Sequence, residues 1–138
     1  VTTSSMGRLF DAVSSLLGIH HVNRYEGEAA IMLENAAWRA QASGSGRSAK
    51  EEVHADFLAL RFHHAVADAV LAECRVARSE RGTAAVCLSG GVFQNKIIME
   101  RTLKLLREDG FATYYNLAVP PNDGGIALGQ AYVAMRGL

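Results

Sequence analysis

The chain has 138 residues, 49% of them hydrophobic and 20% charged, which is enough to pack one ordinary core and predicts a single domain or one lobe of a larger one. Fourteen basic residues balance fourteen acidic ones, so no overall field draws it to nucleic acid or to an anionic membrane, and an anionic ligand must be held locally. Only Cys74 and Cys87 occur, with no CxxC spacing and no Cys/His cluster, which argues against a disulfide framework or a structural zinc site and fits a reducing cytoplasm.

No run of 18 apolar residues could span a bilayer. The start, Val-Thr-Thr-Ser-Ser, has neither the basic segment nor the apolar core of a secretion signal, and the absent initiator Met suggests a piece of a longer chain.

In chain order, Leu9, Phe10, Val13, Leu16 and Leu17 recur at helical spacing from Arg8 to Leu17, and Gly18 supplies a stop. After a turn through Tyr25-Glu26-Gly27, Ala29, Met32, Leu33, Ala36, Ala37 and Ala40 mark a second helix. The run Ser43-Gly44-Ser45-Gly46 breaks it with the composition of a flexible linker, and an engineered join in place of a longer loop is one explanation for it. A long helix is expected from about Lys50 to about Arg78, with Gly82 ending the connection, and its central part, Phe57 to Cys74, is apolar on more than one face and should be buried.

The remainder alternates. Ala84 to Leu88 reads as a short buried strand, Asn95 to Arg107 as a helix, Ala112 to Leu117 as a strand and Gly124 to Met135 as a helix. Two strands joined by a helix pair in parallel, which places the loops after both on one edge, where open α/β sheets bind ligands. The fold class is therefore α/β, predominantly helical, with a short parallel sheet.

The two loops on that edge carry the chemistry. Ser89-Gly90-Gly91-Val92-Phe93-Gln94-Asn95 joins strand to helix through two glycines, which permit positive φ and leave amides free for an anion or nucleotide, with Asn95 reaching a sugar or base. It serves equally as a tight turn with Asn95 near the helix start. The pattern is neither a GxSxG elbow nor a P-loop, so Ser89 is not expected to be a nucleophile.

In Asn122-Asp123-Gly124-Gly125, Asp123 is a helix cap, the commoner role, or a carboxylate ligand for a metal carrying phosphates. His20-His21 and His63-His64 are adjacent pairs that point about 100° apart on a helix and cannot normally share an ion, so these four and His54 are expected to be structural or surface residues. Asp11 and Glu28 read as solvated or capping acids, and Cys87 as a small buried hydrophobe.

Taken together, Ser4-Ser5-Met6-Gly7-Arg8-Leu9-Phe10-Asp11-Ala12, Tyr25-Glu26-Gly27-Glu28-Ala29-Ala30, Phe62-His63, Leu88 to Asn95 and Pro120 to Gln130 resemble the ordered motifs of the HypF-type hydrogenase-maturation carbamoyltransferases. The likeness spans nearly the whole chain, and extends more distantly to the tRNA threonylcarbamoyladenosine synthase catalytic subunit and to antibiotic O-carbamoyltransferases.

That resemblance implies part of an actin-like ATPase (ribonuclease H-like) lobe, residues 1–138 forming a single partial domain in the later part of the second lobe, with 43–46 as a linker. It implies ATP and carbamoyl adenylate as ligands, a divalent metal, the remainder of the HypF-type chain as partner, and a HypE-like acceptor whose C-terminal cysteine is carbamoylated.

By the same resemblance Asp11 holds the ribose, Gly27 and Glu28 border the nucleoside, Gly90, Gly91 and Asn95 form the adenosine turn, and Asp123 completes the metal site. The family's metal-binding histidines lie in the earlier lobe. No side chain here is a convincing general base, so no catalytic residue is assigned, and the chain alone is expected to be inactive.

Two departures stand out. The segment between Glu28 and Phe62 is short for the family, and only two strands are evident, which leaves sheet edges unpaired and favours self-association. The alternatives are a tRNA threonylcarbamoyl transferase-like protein, which the neutral charge disfavours, and a non-catalytic interaction module.

Overall fold

Ser5 starts the first helix by accepting the amide of Arg8 on its hydroxyl at 3.5 Å. The helix, α1 (Met6–Leu16), ends where Gly18 turns left-handed at φ 68°. This computed structural model describes residues 4–43 and 50–137. Apart from Ser43, the Ser/Gly stretch lies outside them.

By their contacts the residues form two compact units, Val1–Ala69 and Val70–Leu138, with the boundary inside the long helix α3 (Lys50–Arg81). In the first unit, α1 buries Phe10 and Ser14, while Leu9 and Leu16 of the expected stripe stay exposed. Helix α2 (Glu28–Ser43) buries Ala29, Leu33, Ala36 and Ala37, and α3 contributes Ala59, His63, Val66 and Ala67. Both sets follow the i, i+4, i+7, i+8 spacing of one helical face, and alanines on it let backbones approach closely.

The Phe10 ring meets the rings of Phe62 and His63 edge-on, at 5.0 and 5.5 Å between centroids. Arg39 of α2 forks onto Asp56 of α3 through Nε and Nη2, at 2.9 and 2.6 Å. Phe57, expected to be buried, is half exposed, because the covered face of α3 runs through Ala59 and His63 and leaves Phe57 to one side.

In the second unit, β1 (Ala85–Leu88) and β2 (Ala112–Tyr115) pair in parallel, Ala85 opposite Ala112 and Leu88 opposite Tyr115. The intervening helix α4 (Lys96–Glu108) buries Ile97, Ile98, Thr102 and Leu106. Leu71, Leu88, Leu106 and Phe111 form the core, with Val86, Met99 and Leu103 against it.

Strand residues alternate between faces, and among the described residues one face of this pair is covered while Ala85, Cys87, Ala112 and Tyr114 lie on the open one. The expectation of a fully buried β1, with Cys87 as an interior hydrophobe, is thereby corrected: Cys87 is exposed.

At the far end of α4, Arg75 Nε donates to the Asp109 carboxylate at 2.6 Å and Arg78 Nη1 to its backbone oxygen at 2.9 Å. The Arg78 guanidinium also lies 4.2 Å from the centre of the Phe111 ring. After β2, a 3₁₀ turn at Asp123–Gly125 leads into α5 (Ile126–Arg136). Among the described residues no helix is long and apolar enough to cross a membrane.

Candidate functional site

The parallel pairing brings the ends of β1 and β2 to one edge of the second unit, and with them their loops. After Leu88 the chain turns through Gly90 at φ 101°, ψ 159°, a conformation essentially restricted to glycine. A 3₁₀ turn, Gly91–Gln94, follows, and Asn95 starts α4 by accepting the Ile98 amide on Oδ1 at 3.0 Å.

Of the two roles open to Asn95 in the sequence, the structure gives it the cap. It is buried and is not among the residues that line the cleft described below.

The second loop is equally constrained. Asn122 Oδ1 accepts the Gly124 amide at 3.1 Å, so Asn122, not Asp123, caps the turn. A Cβ on Gly125 would stand 2.7 Å from the Pro120 carbonyl oxygen, which makes glycine the only residue that fits unstrained. The Asp123 carboxylate is exposed and has no hydrogen bond or ion pair from the described residues.

One hydrogen bond fastens the loops together: the Gly90 amide donates to the Pro121 carbonyl at 2.8 Å. The expectation that the Gly90 amide stays free for an anion is corrected by this bond. At Gly91, as at Gly90, no atom beyond the chain neighbours lies within 4 Å of where a Cβ would be.

The two loops enclose an open cleft of about 300 Å³, lined by Ser89, Gly90, Gly91, Asn116, Asn122 and Asp123 among others. The diglycine bend and the acid before the last helix therefore share one cleft. Asn116 was not singled out in the sequence. Its only signal is its place immediately after β2, level with Ser89 after β1.

Among the described residues no group of three or more His, Cys, Asp or Glu could hold a metal ion. A lone carboxylate such as Asp123 fits a hard cation whose other ligands come from phosphate and water, as with Mg²⁺, and does not make a complete protein site.

The other marked residues lie in the first unit, on and around the connection from α1 to α2. Gly27 turns at φ 80° just before α2. Glu28 is buried and folds back so that Oε2 accepts the Arg24 amide at 2.6 Å. His20 Nε2 lies 3.3 Å from the same oxygen, near enough for an ion pair when protonated, but not aligned as a hydrogen bond.

The Arg24 amide holds the Glu28 carboxyl below the usual carboxylate range; burial opposes it and His20 assists. Glu28 is thus neither solvated nor a simple cap. Asp11 is half-buried, and Asn23 Nδ2 donates to its Oδ1 at 3.3 Å.

Among the described residues the histidines do not gather into a group of three or more with other His, Cys, Asp or Glu. His63 is buried, its Nδ1 lies 2.7 Å from the Ala59 carbonyl, and burial pushes its pKa down, the backbone contact opposing. His21 Nδ1 pairs with the Ser15 hydroxyl at 2.9 Å, and His54 is exposed.

The family model "Carbamoyltransferase, Kae1-like Domain, second subdomain" matches residues 1–53 and 45–130. The chain belongs to this carbamoyltransferase family. Carbamoyltransferase HypF of Rhodobacter capsulatus is 36% identical over 152 aligned positions, covering 96% of this chain and 20% of that protein. The probable carbamoyltransferase HypF of Methanocaldococcus jannaschii is 31% identical, covering 98% and 20%.

A crystal structure of full-length HypF in a phosphate- and nucleotide-bound form superposes with a TM-score of 0.78 at 32% identity, over 95% of this chain and 20% of that one. The structure of T. kodakarensis HypF gives 0.71 at 26% identity, with the same coverage.

The chain thus spans about a fifth of the length of the HypF proteins it matches. The family match comes in two pieces that overlap over 45–53, a span that begins within the Ser/Gly stretch.

Proposed function

We propose that this chain is the nucleotide-binding part of a HypF-type carbamoyltransferase and forms part of an actin-like ATPase lobe. The observation that carries this reading is the cleft shared by the Ser89-Gly90-Gly91 turn and the Asp123 loop, in a family with a nucleotide-bound relative of the same fold.

In this reading Gly90 and Gly91 admit the adenosine of ATP or carbamoyl adenylate, with Asn95 holding the start of α4 behind them. The candidates of the first unit, Asp11, Gly27 and Glu28, carry a nucleoside role only through the family resemblance. Asp123 would be one ligand of a divalent cation, which would supply charge neutralisation at the phosphate.

The transfer itself is positioning and charge control. A partner's cysteine thiolate, that of a HypE-like acceptor in hydrogenase maturation, attacks the carbamoyl carbon. The C–S bond forms as the bond to the phosphate oxygen breaks, and AMP departs. The nucleophile is not in this chain, and the setting is cytoplasmic. The chain without the remainder of a HypF-type protein is therefore inactive in transfer while retaining a nucleotide turn.

Titrating Mg-ATP into the chain by calorimetry tests this. Saturable binding is expected, with Gly91→Leu, which fills the cleft from an unobstructed position, weakening it by about tenfold or more. Asp123→Asn should remove the dependence on Mg²⁺. No binding would favour a non-catalytic interaction module, and salt-sensitive tRNA binding would favour the threonylcarbamoyl transferase reading.

A further inference from the structure

The cleft of the second unit is lined in a way that separates the parts of a nucleotide. Among the described residues no Lys, Arg or His lines it, and its one charged side chain is the Asp123 carboxylate. A phosphate therefore meets no positive side chain there. Val119, Pro120, Pro121 and Ile126 add an apolar surface, which a ribose, polar on every side, does not match. A purine base does, because its faces are apolar and its polar atoms lie along its edge. The volume of about 300 Å³ is at the lower end for small-molecule sites and suits a group of that size.

Reading that edge takes a side chain that carries a donor and an acceptor side by side. Ser89, Asn116, Asn122 and Asp123 supply the polar side chains of the lining. Ionised Asp123 can only accept, and the Ser89 hydroxyl rotates to suit either kind of partner. Asn122 Oδ1 already holds the Gly124 amide at 3.1 Å.

Asn116 remains. It follows Tyr115 at the end of β2, and Tyr115 is paired with Leu88, so it stands level with Ser89 at the start of the diglycine turn. Its exposed carboxamide has no hydrogen bond or ion pair from the described residues. Asn23, Asn95 and Asn122 each spend Oδ1 on a backbone amide, and Asn116 keeps both ends of its side chain for a ligand.

We infer that Asn116 reads the base of the bound nucleotide: its carboxamide accepts from the 6-amino group of adenine and donates to N7, the two-bond pairing that asparagine makes with an adenine edge. Hypoxanthine has a carbonyl in place of that amino group, so both atoms of the same edge accept and only one of the two bonds can form. Asn116 is then a specificity-determining residue that touches the ligand. This rests on the reading of the cleft as a nucleotide site.

Mg-ATP and Mg-ITP, which differ in the base alone, are titrated by calorimetry into the wild type, Asn116→Ala and Asn116→Asp, with thermal melting of each. The wild type should bind Mg-ATP about tenfold more tightly than Mg-ITP. Asn116→Ala should bring the two together, mainly by weakening Mg-ATP, at an unchanged melting temperature. Asn116→Asp keeps the acceptor for the amino group and sets acceptor against acceptor at the hypoxanthine carbonyl, so it should still prefer Mg-ATP.

A residue that merely shaped the loop would weaken both nucleotides alike, which is why the ratio is the deciding quantity. Equal binding of the two by the wild type, a preference that survives in Asn116→Ala, or one that is lost in Asn116→Asp overturns the role of Asn116 and leaves the nucleotide site standing. Absence of Mg-ATP binding to the wild type removes the site, and the inference goes with it.

Discussion

Helices α4 and α5 each follow a strand of the same parallel pair, yet one is held and the other is not. In α4 the apolar residues form a stripe that closes over Leu71, Leu88 and Phe111, and a side-chain cap starts the helix. In α5 only Gln130, Tyr132 and Arg136 carry polar side-chain groups, no residue is buried, and Met135 is 87% exposed. A helix apolar nearly all round has the composition of one enclosed by other polypeptide. A stripe can be satisfied by one neighbouring layer; an all-round apolar surface cannot. The cleft inherits this asymmetry, its glycine wall standing on a packed helix and its Asp123 wall on an open one.

The sharpest way to break the comparison is truncation in each helix. Leu106→Ala should cost about 2–5 kcal/mol in urea unfolding, because the side chain is fully enclosed. Leu128→Ala should stay within about 0.5 kcal/mol in this chain. Equal losses would show that α5 is covered in solution.

The glycine wall gives the next effect. Gly90→Ala forces a side chain onto φ 101° and should cost about 1–3 kcal/mol, loosening the bond from the Gly90 amide to Pro121. Gly91→Ala, at ordinary φ and in open space, should be close to neutral in the same assay.

The smallest effect separates the clamped end of α4 from the unclamped α5. Hydrogen bonds from Arg75 and then Arg78 hold the Asp109 carboxyl below its usual range, against burial, as the Arg24 amide holds that of Glu28. The unfolded chain takes up these protons first as pH falls. The stability they contribute is therefore complete above the ordinary carboxylate values near about pH 4 and declines below them. Asp109→Asn should flatten the acid limb of a stability profile, and an unchanged limb would mean that the clamp contributes nothing.

Much of the site was legible because it follows from backbone rules. Apolar spacing at 3.6 residues marks α1 to α4 to within a few residues, and strand–helix–strand order implies parallel pairing. Parallel pairing in turn puts the Gly90-Gly91 and Asp123 loops on one edge. What could not be read depends on neighbours across space: Pro121 claims the Gly90 amide, Asn122 takes the capping role from Asp123, and Asn23 bridges two helices. Cys87 misled because a four-residue apolar strand looks alike whether one face is covered or two.

By itself, the sequence determined the elements and the residue types at their junctions, since glycine, asparagine and helical spacing act through local sterics and capping. Its ordered motifs carried the resemblance that the comparisons bore out. Tertiary structure alone decided which of those groups keep free valences and which spend them on one another. Hydrogen bonds between distant segments are set by the packing of whole elements, and a linear pattern does not encode those distances.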